Sequence, residues 1–338
     1  MAQHKIAFIS KAQPDTEIVE NQLSGLDYEM EVHVPESQGE TVEAIKGADV
    51  IINMGVPMPR AVIEGIDRAQ AIVSQGHGFD RIDHDAATDQ KVMVVNCAGY
   101  CTEEVSNHTI MGVLACAKSL TIFNDMVKSG GWTAQTRTHL PWMAPIDGQT
   151  LGLIGLGNIA RATARKAKVF GLEVIAYDPY VQPWIAKEYR VALVGSLEEL
   201  AQRSDFVSIH VPLNDETRKL VGETFFKSMK PTAYFINTCR GPTVDEAALV
   251  HALQSGEIAG AAIDVFEQEP TPADNPLFAL DNVILTPHTA GYSNVSRPAA
   301  QARLGQEAAR ILKGEWPMSL VNPEVRASIP VRGMALNA

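Results

Sequence analysis

Three residues of different chemical types suggest the reaction that this chain could support. Arg240, Glu269 and His288 each come within a few residues of the end of a short apolar run. An arginine guanidinium can hold a carboxylate through two parallel hydrogen bonds. A histidine exchanges a proton near neutral pH, and a carboxylate bonded to its second ring nitrogen would orient the imidazole and favour the protonated form. Alone, each residue is more often a surface or structural residue; together they predict a site that binds a small acid and transfers a proton.

A glycine-containing turn, TLGLIGLGNIA at residues 150–160, indicates a second kind of binding site. Gly155 and Gly157 follow an apolar run at the point where a helix must begin, and Ala160 stands where a third glycine is usual. This arrangement lets the backbone approach a pyrophosphate at a helix N-terminus. Asp178 lies 21 residues beyond Gly157, where a carboxylate can bind both ribose hydroxyls and repel the 2′-phosphate of NADP. The pattern therefore predicts NAD as cofactor; the alternative is a structural turn with a surface aspartate.

Short apolar runs alternate with amphipathic segments along the whole chain. The predicted strands are Lys5–Ser10, Tyr28–Val34, Val50–Met54, Ala71–Ser74, Val92–Val95, Leu151–Ile154, Val174–Tyr177, Phe206–Val211, Tyr234–Asn237, Ala261–Val265 and Val283–Leu285. The predicted shorter helices between them are Thr41–Lys46, Arg60–Asp67, Asp83–Gln90, Ile159–Phe170, Leu197–Arg203 and Asp245–Ser255. Short, fully apolar strands are typical of parallel sheets covered on both faces. The alternation predicts an α/β fold with two doubly wound parallel-sheet domains.

Two longer helical segments indicate where the chain passes between the domains. We predict one long helix over Glu103–Lys128 and another over Asn294–Lys313. Residues 1–101 with 294–338 are then a flavodoxin-like substrate-binding domain, and residues 102–293 a Rossmann NAD-binding domain. We expect the site in the interdomain cleft, since ligands prefer such places. His139 and Trp142, in the loop before the glycine turn, could reach the cleft of a neighbouring subunit.

Composition excludes several classes of protein. The 338 residues carry 28 basic and 40 acidic side chains, a formal charge of −12, which argues against a nucleic-acid partner and against an anionic membrane surface. No stretch reaches the ~20 apolar residues of a membrane span, and we see no signal-peptide pattern. The four cysteines lack CxxC spacing, so we expect reduced thiols, no metal site and a soluble, cytoplasmic protein.

Five ordered motifs together resemble the D-isomer-specific 2-hydroxyacid dehydrogenase family, and the resemblance covers nearly all of the chain. The motifs are Gly155–Ala160 with Asp178, Phe206–Leu213 (FVSIHVPL), Asn237–Val244 (NTCRGPTV), Asp264–Pro270 (DVFEQEP) and Thr286–Ala290 (TPHTA). The resemblance implies an NAD-dependent enzyme that interconverts a D-2-hydroxy acid and its 2-oxo acid by hydride transfer. It also implies a homodimer, built largely through the region Glu103–Lys128.

The same resemblance implies roles for individual residues. Arg240 would be the substrate clamp, Glu269 the orienting partner and His288 the general acid/base, while Asp264 would contact the nicotinamide carboxamide. The residues expected to bind the cofactor are Gly155, Gly157, Asn158, Ile159, Asp178, His210, Pro212, Thr238 and Asp264. The residues expected to bind the substrate are Asn53, Gly76, His77, Gly78 and Tyr100, with the backbone amides of His77 and Gly78 as carboxylate donors.

The segment Asn96–His108 (NCAGYCTEEVSNH) is similar to the group that contains C-terminal-binding-protein-like and phosphoglycerate-dehydrogenase-like members. The chain departs from that group at several positions. His77 stands where a small or aliphatic residue is common, and Asn107 where an acid is usual. No arginine occurs around Asn53, where phosphoglycerate enzymes tend to have one, which argues against a phosphorylated substrate.

Two other functions remain open on the sequence. An NAD(H)-sensing scaffold of the C-terminal-binding-protein kind would keep the nucleotide site and act through peptide partners. We see no added interaction tail in the 338 residues, which counts against this function. Phosphite oxidation could use the same framework. Formate oxidation is disfavoured, because a formate enzyme would be expected to carry Gln where Glu269 stands.

Overall fold

The computed structural model describes residues 3–133, 136, 143 and 145–329. Backbone contacts divide the chain into a first unit, Met1–Tyr100 with Ser293–Ala338, and a second unit, Cys101–Tyr292. His139 and Trp142 lie outside the described residues.

The first unit is built on a five-stranded sheet in the order β2-β1-β3-β4-β5, with every pair parallel. Its strands are β1 (His4–Ser10), β2 (Tyr28–His33), β3 (Val50–Met54), β4 (Ala71–Ser74) and β5 (Met93–Asn96). Its helices are α1 (Glu17–Gln22), α2 (Gln38–Ile45), α3 (Arg60–Ile63), α4 (His84–Asp89) and α12 (Ser296–Leu312), with a 3-10 turn at Pro323–Ala327. This strand order is that of flavodoxin-like folds, as predicted.

The second unit contains a seven-stranded parallel sheet in the order β12-β11-β10-β9-β6-β7-β8. Its strands are β6 (Thr150–Ile154), β7 (Glu173–Tyr177), β8 (Ala192–Leu193), β9 (Phe206–Ile209), β10 (Tyr234–Asn237), β11 (Gly260–Ile263) and β12 (Val283–Leu285). Its helices are α5 (Thr102–Ala117), α6 (Leu120–Lys128), α7 (Asn158–Val169), α8 (Pro183–Glu188), α9 (Leu197–Arg203), α10 (Glu223–Ser228) and α11 (Glu246–Ser255), with 3-10 turns at Gly241–Thr243 and Pro276–Ala279. The order reverses between β6 and β9, the place where Rossmann sheets bind dinucleotides.

The predicted single helix over Glu103–Lys128 is wrong. The chain forms α5 and α6, whose axes differ by 63°. Ser119, between them, has a φ of 47°, a left-handed conformation that cannot continue a right-handed helix. In α6 no side chain is fully buried, and Leu120 and Val127 are exposed.

The remaining differences from the predicted elements concern short segments. The helices α1, α8 and α10 have six residues each, and β8 has two exposed residues, so none of them carries a clear hydrophobic period. The predicted helix Arg60–Asp67 ends at Ile63, and the predicted strand Phe206–Val211 ends at Ile209. Elsewhere the bounds differ by at most three residues.

Within the described ranges, none of the helices is by itself both long and apolar enough to cross a membrane. The bent pair formed by α5 and α6 passes that test on combined length and composition alone.

Candidate active site

The three loops that carry Arg240, Glu269 and His288 leave adjacent strands of the second unit. Arg240 follows β10, Glu269 follows β11 and His288 follows β12, and these strands are neighbours in the sheet. Because the strands are parallel, their carboxyl ends meet at one edge, which is the ligand-binding edge of open α/β sheets.

His288 and Glu269 form a hydrogen-bonded pair. The Nδ1 atom of His288 lies 2.7 Å from Oε2 of Glu269, and the side chains are 46% and 28% exposed. Oε1 of Glu269 accepts a hydrogen bond from the backbone N–H of Phe266 at 3.1 Å. Partial burial acts to raise the pKa of Glu269, but the bonds from His288 and Phe266, with the charges of His288 and Arg240, lower it below its ordinary value. The pair is thus a carboxylate that orients an imidazole, with the second ring nitrogen left for chemistry.

Arg240 is held in an extended conformation at the start of a 3-10 turn. Its carbonyl oxygen accepts hydrogen bonds from Asn237 Nδ2 at 3.1 Å and Thr243 Oγ1 at 2.6 Å. Its Nη1 donates to the carbonyl of Cys239 at 2.7 Å, which orients the guanidinium. The next residue, Gly241, packs so tightly that a Cβ there would lie 1.8 Å from the carbonyl oxygen of Phe266. The Arg240 loop is therefore fixed directly against the loop that ends at Glu269.

The glycine turn has the form required for a dinucleotide. Gly155 has a φ of 87°, and a Cβ there would lie 2.7 Å from the carbonyl oxygen of His210, so this turn requires glycine. A Cβ added at Gly157 would have no heavy atom of the described residues within 4 Å, apart from its chain neighbours. Asn158 and Ile159 then open α7, whose first N–H groups and dipole favour an anion. The open space at a helix N-terminus fits a pyrophosphate.

Asp178, at the end of β7, connects that strand to the glycine turn. Its Oδ2 accepts a hydrogen bond from the N–H of Leu156 at 2.8 Å, and its Oδ1 accepts from Tyr180 and Val181 at 2.9 and 3.0 Å. The carboxylate is therefore held beside the turn, where a ribose of a bound dinucleotide is expected.

The other cofactor residues predicted in the second unit occupy varied environments. His210 is half-buried, its Nε2 lies 2.9 Å from Ser208 Oγ, and burial lowers its pKa to about 4. Thr238 is 9% exposed and its hydroxyl lies 3.2 Å from that of Thr109. Pro212 is exposed. We retain all three as predicted cofactor contacts.

Asp264 is almost fully buried, with 1% exposure, and its carboxylate already has several partners. Oδ1 accepts hydrogen bonds from Thr286 Oγ1 at 2.5 Å and the N–H of Thr289 at 2.9 Å, and Oδ2 accepts from the N–H of Ala290 at 2.8 Å. The carboxylate therefore binds the turn that carries His288. Its contact with the nicotinamide stays a prediction.

Comparison with known proteins settles the family. Residues 110–290 match the description "D-isomer specific 2-hydroxyacid dehydrogenase, NAD binding domain". The chain belongs to the D-isomer-specific 2-hydroxyacid dehydrogenase family. As a member, it is an oxidoreductase with NAD as cofactor that interconverts 2-hydroxy acids and 2-oxo acids.

Individual relatives cover most of the chain. It is 36% identical over 315 residues to a glyoxylate reductase of Korarchaeum cryptofilum, covering 91% of this chain and 95% of that protein. It is 38% identical over 295 residues to a D-3-phosphoglycerate dehydrogenase of Methanocaldococcus jannaschii, covering 87% of this chain but only 55% of that relative's length. Among solved structures, the holo form of D-mandelate dehydrogenase from Rhodotorula graminis is similar with a TM-score of 0.84 and 26% identity, covering 95% of this chain and 98% of that one.

In the first unit of this dehydrogenase, the loop after β4 holds three of the predicted substrate residues. Gly76 has a φ of 97°, and the carbonyl oxygen of His77 accepts a hydrogen bond from Asn96 Nδ2 at 2.7 Å. Nε2 of His77 accepts from the N–H of Gly99 at 3.2 Å, and its ring centroid lies 6.0 Å from that of Tyr100. These contacts fix the position of His77 in the loop. His77 directly precedes Gly78 in the predicted carboxylate-binding segment.

Asn53 has a structural role in the dehydrogenase that the sequence did not indicate. Its side chain is 1% exposed. Its Nδ2 donates to the carbonyl of Val56 at 2.9 Å, and its Oδ1 accepts from the N–H of Val56 at 2.8 Å. Both ends of the amide are therefore used to shape the loop after β3, and contact with substrate stays a prediction.

Two residues of the site were missed by sequence reasoning. His108 on α5 lies with its Nε2 3.0 Å from Thr286 Oγ1, and Thr286 in turn bonds Asp264. Both residues lay inside segments that resemble the family, but nothing in their spacing indicates that α5 contacts the loop after β12. That contact exists only because α5 packs on β10 and β11.

Proposed function

We propose that this dehydrogenase reduces a small, unphosphorylated 2-oxo acid of the size of glyoxylate or hydroxypyruvate to the D-2-hydroxy acid, with NADH. The observation that carries the proposal is the 2.7 Å bond between His288 and Glu269, on two loops that lie next to the Arg240 loop at one sheet edge. The glyoxylate reductases among its relatives support this substrate size.

Each residue of the set has a distinct task in this proposal. Bound NADH supplies the hydride that reaches the carbonyl carbon of the substrate. Arg240 binds the substrate carboxylate through its planar fork and polarises the carbonyl. His288 gives its Nε2 proton to the carbonyl oxygen, which becomes the hydroxyl, and Glu269 holds the imidazole and balances its charge before transfer.

The proposal also gives a substrate-binding role to the loop after β4, in the first unit. We assign the backbone N–H groups of His77 and Gly78 to the substrate carboxylate, with Gly76 supplying the left-handed turn and Tyr100 packing beside His77. The absence of arginine from residues 51–56 argues against a phosphorylated substrate.

The test uses two substitutions with matched controls. We expect Arg240→Ala and His288→Ala each to lower kcat/KM for glyoxylate and hydroxypyruvate at least about 100-fold, since removal of a general acid or charged clamp has effects of this size. NADH binding, measured by fluorescence, should persist. Arg203→Ala and His251→Ala, at exposed positions of the second unit, should retain activity.

Two results would contradict the proposal. Full activity of Arg240→Ala or His288→Ala would refute their assigned roles. Wild-type protein that binds NADH, turns over no 2-oxo acid and changes its oligomeric state with NADH would favour a scaffold function instead.

We also propose a homodimer formed through α5 and α6. Leu120 and Val127 on α6 are 58% and 54% exposed, and Met111 on α5 is 45% exposed. Exposed apolar side chains on consecutive helices are typical of an interface. In light scattering, Leu120→Asp should shift the protein from dimer to monomer, whereas Val169→Asp, at an 84% exposed position on α7, should leave the mass unchanged. Equal masses for both variants would count against this interface.

A further inference from the structure

A chain of three side chains runs from α5 to the loop that carries His288. Nε2 of His108 lies 3.0 Å from Oγ1 of Thr286, and Oγ1 of Thr286 lies 2.5 Å from Oδ1 of Asp264. Nε2 of His108 is also 3.7 Å from Oδ1 of Asp264. The side chains of His108 and Asp264 are 18% and 1% exposed, so the chain is largely shielded from water.

The direction of these hydrogen bonds follows from what each group can donate. Asp264 accepts backbone N–H groups on both oxygens of its side chain. The hydroxyl of Thr286 has a single hydrogen, which it donates to Asp264. Toward His108 the hydroxyl oxygen can then only accept, so Nε2 of His108 must carry a hydrogen. The bonds run from His108 through Thr286 to Asp264.

Asp264 is the residue around which the turn of His288 is formed. Its backbone carbonyl accepts the N–H of His288 at 2.7 Å, and its carboxylate accepts the N–H groups of Thr289 and Ala290. His288 has a φ of 53°, a left-handed conformation that a residue with a side chain keeps only when its surroundings impose it. The position of the imidazole therefore depends on the orientation of the Asp264 carboxylate.

We propose that His108 is a positioning residue for proton transfer by His288. His108 holds the side chain of Thr286, and Thr286 holds one oxygen of Asp264. The carboxylate of Asp264 in turn fixes the turn that carries His288. The inference rests on the proposed function, because it assumes that the orientation of His288 limits the rate. It assigns to α5, outside the strand-end loops, a residue that acts on the reaction without contacting substrate.

The first experiment compares two substitutions at His108. His108→Leu removes the donor while keeping a side chain of similar bulk, and should lower kcat for glyoxylate about 10- to 100-fold, because a small displacement of a reacting group has effects of this size. The NADH dissociation constant and the KM should change little. His108→Gln places an amide N–H near the former Nε2 and should restore most of the rate. A structural role alone would give no such recovery and no split between kcat and KM.

A second variant tests the route through Thr286. Thr286→Val keeps the shape and removes the hydroxyl, so it should lower kcat as His108→Leu does. The double variant should be no worse than the poorer single variant, since both remove one chain of bonds. If the fold-loss in kcat of the double variant equals the product of the two single losses, the route is refuted.

A measurement on the protein without cofactor completes the test. Nitrogen-15 NMR of labelled imidazoles should show a hydrogen on Nε2 of His108 in the neutral ring, and the His288 resonances should move in His108→Leu. An unprotonated Nε2, or His288 resonances unchanged in that variant, would overturn the inference. If the wild type binds NADH but reduces no 2-oxo acid, the proposed function fails instead, and the NMR result still decides the hydrogen-bond chain.

Discussion

At the scale of single residues, the site combines an unfavourable backbone conformation with a strong side-chain bond. The left-handed conformation of His288 costs about 1–2 kcal/mol for a residue with a Cβ. The Glu269 bond and the hydrogen bonds to Asp264 hold the residue there. A less supported histidine would relax to an ordinary conformation and direct its imidazole elsewhere.

The first prediction concerns the activity of Glu269→Gln. Without the carboxylate, the imidazole of His288 loses the partner that orients it, so kcat/KM for the 2-oxo acid should fall about 10- to 100-fold. Steady-state rates of both proteins measure this. Equal values of kcat/KM for the two proteins would show that Glu269 does not act on His288.

The second prediction concerns stability. The pKa of Glu269 is lowered in the folded protein from its ordinary value of 4.5. Its ionised form therefore stabilises the fold at pH values above that ordinary pKa, and this stabilisation is lost as pH falls through the lowered pKa. Since the pair is partly exposed, the contribution should be below about 1 kcal/mol. Urea unfolding of wild type and Glu269→Gln should differ above pH 5 and converge at lower pH. A difference that grows with acidity would contradict this sign.

The third prediction concerns cofactor choice at Asp178. Asp178→Asn removes a negative charge where NADP carries its extra phosphate, and should shift the ratio of NADPH to NADH affinity by about tenfold or more. Fluorescence titration with both cofactors measures the ratio. An unchanged ratio would show that Asp178 acts only through its bonds to Leu156, Tyr180 and Val181.

At the scale of elements, the site depends on close approach between two loops. Gly241→Ala would place a Cβ 1.8 Å from the carbonyl oxygen of Phe266, an atom of the backbone that leads to Glu269. We expect a loss of about 1–3 kcal/mol in unfolding free energy and at least about tenfold in kcat, since the loop must move. Thermal unfolding and steady-state rates measure both effects.

The matched control for that substitution is Gly195→Ala, where the nearest atom to a new Cβ, Glu199 Oε2, is an ordinary 3.7 Å away. It should retain the activity and stability of the wild type. Equal behaviour of the two variants would mean that the contact between the loops is not required.

At the scale of the whole molecule, binding of cofactor should stabilise the fold by mass action. With NADH at 100 times its dissociation constant, the stabilisation should be about 2.7 kcal/mol. Calorimetry should show a higher melting temperature with NADH for wild type and also for Arg240→Ala, whose side chain we assign to substrate. A melting temperature unaffected by NADH would contradict binding at the glycine turn.

Much of the fold could be predicted because local patterns carry it. The strands β3, β4, β10 and β12 have the predicted bounds, since short apolar runs between polar segments are typical of buried parallel strands. The break at Ser119 could not be predicted, because the apolar residues keep a nearly helical spacing across it. The position of β8 was missed because two exposed residues carry no period.

The sequence by itself determined the chemistry available to this protein: an arginine, a glutamate and a histidine at strand ends, and a glycine turn followed by Asp178. Residue type and order along the chain are enough for that. Only the tertiary structure decided which atoms meet. The contact of His108 with Thr286, the enclosed carboxylate of Asp264 and the internal bonding of Asn53 join groups through packing of helices on strands and through loop conformation. Such contacts depend on distances in space, which the order of residues does not specify.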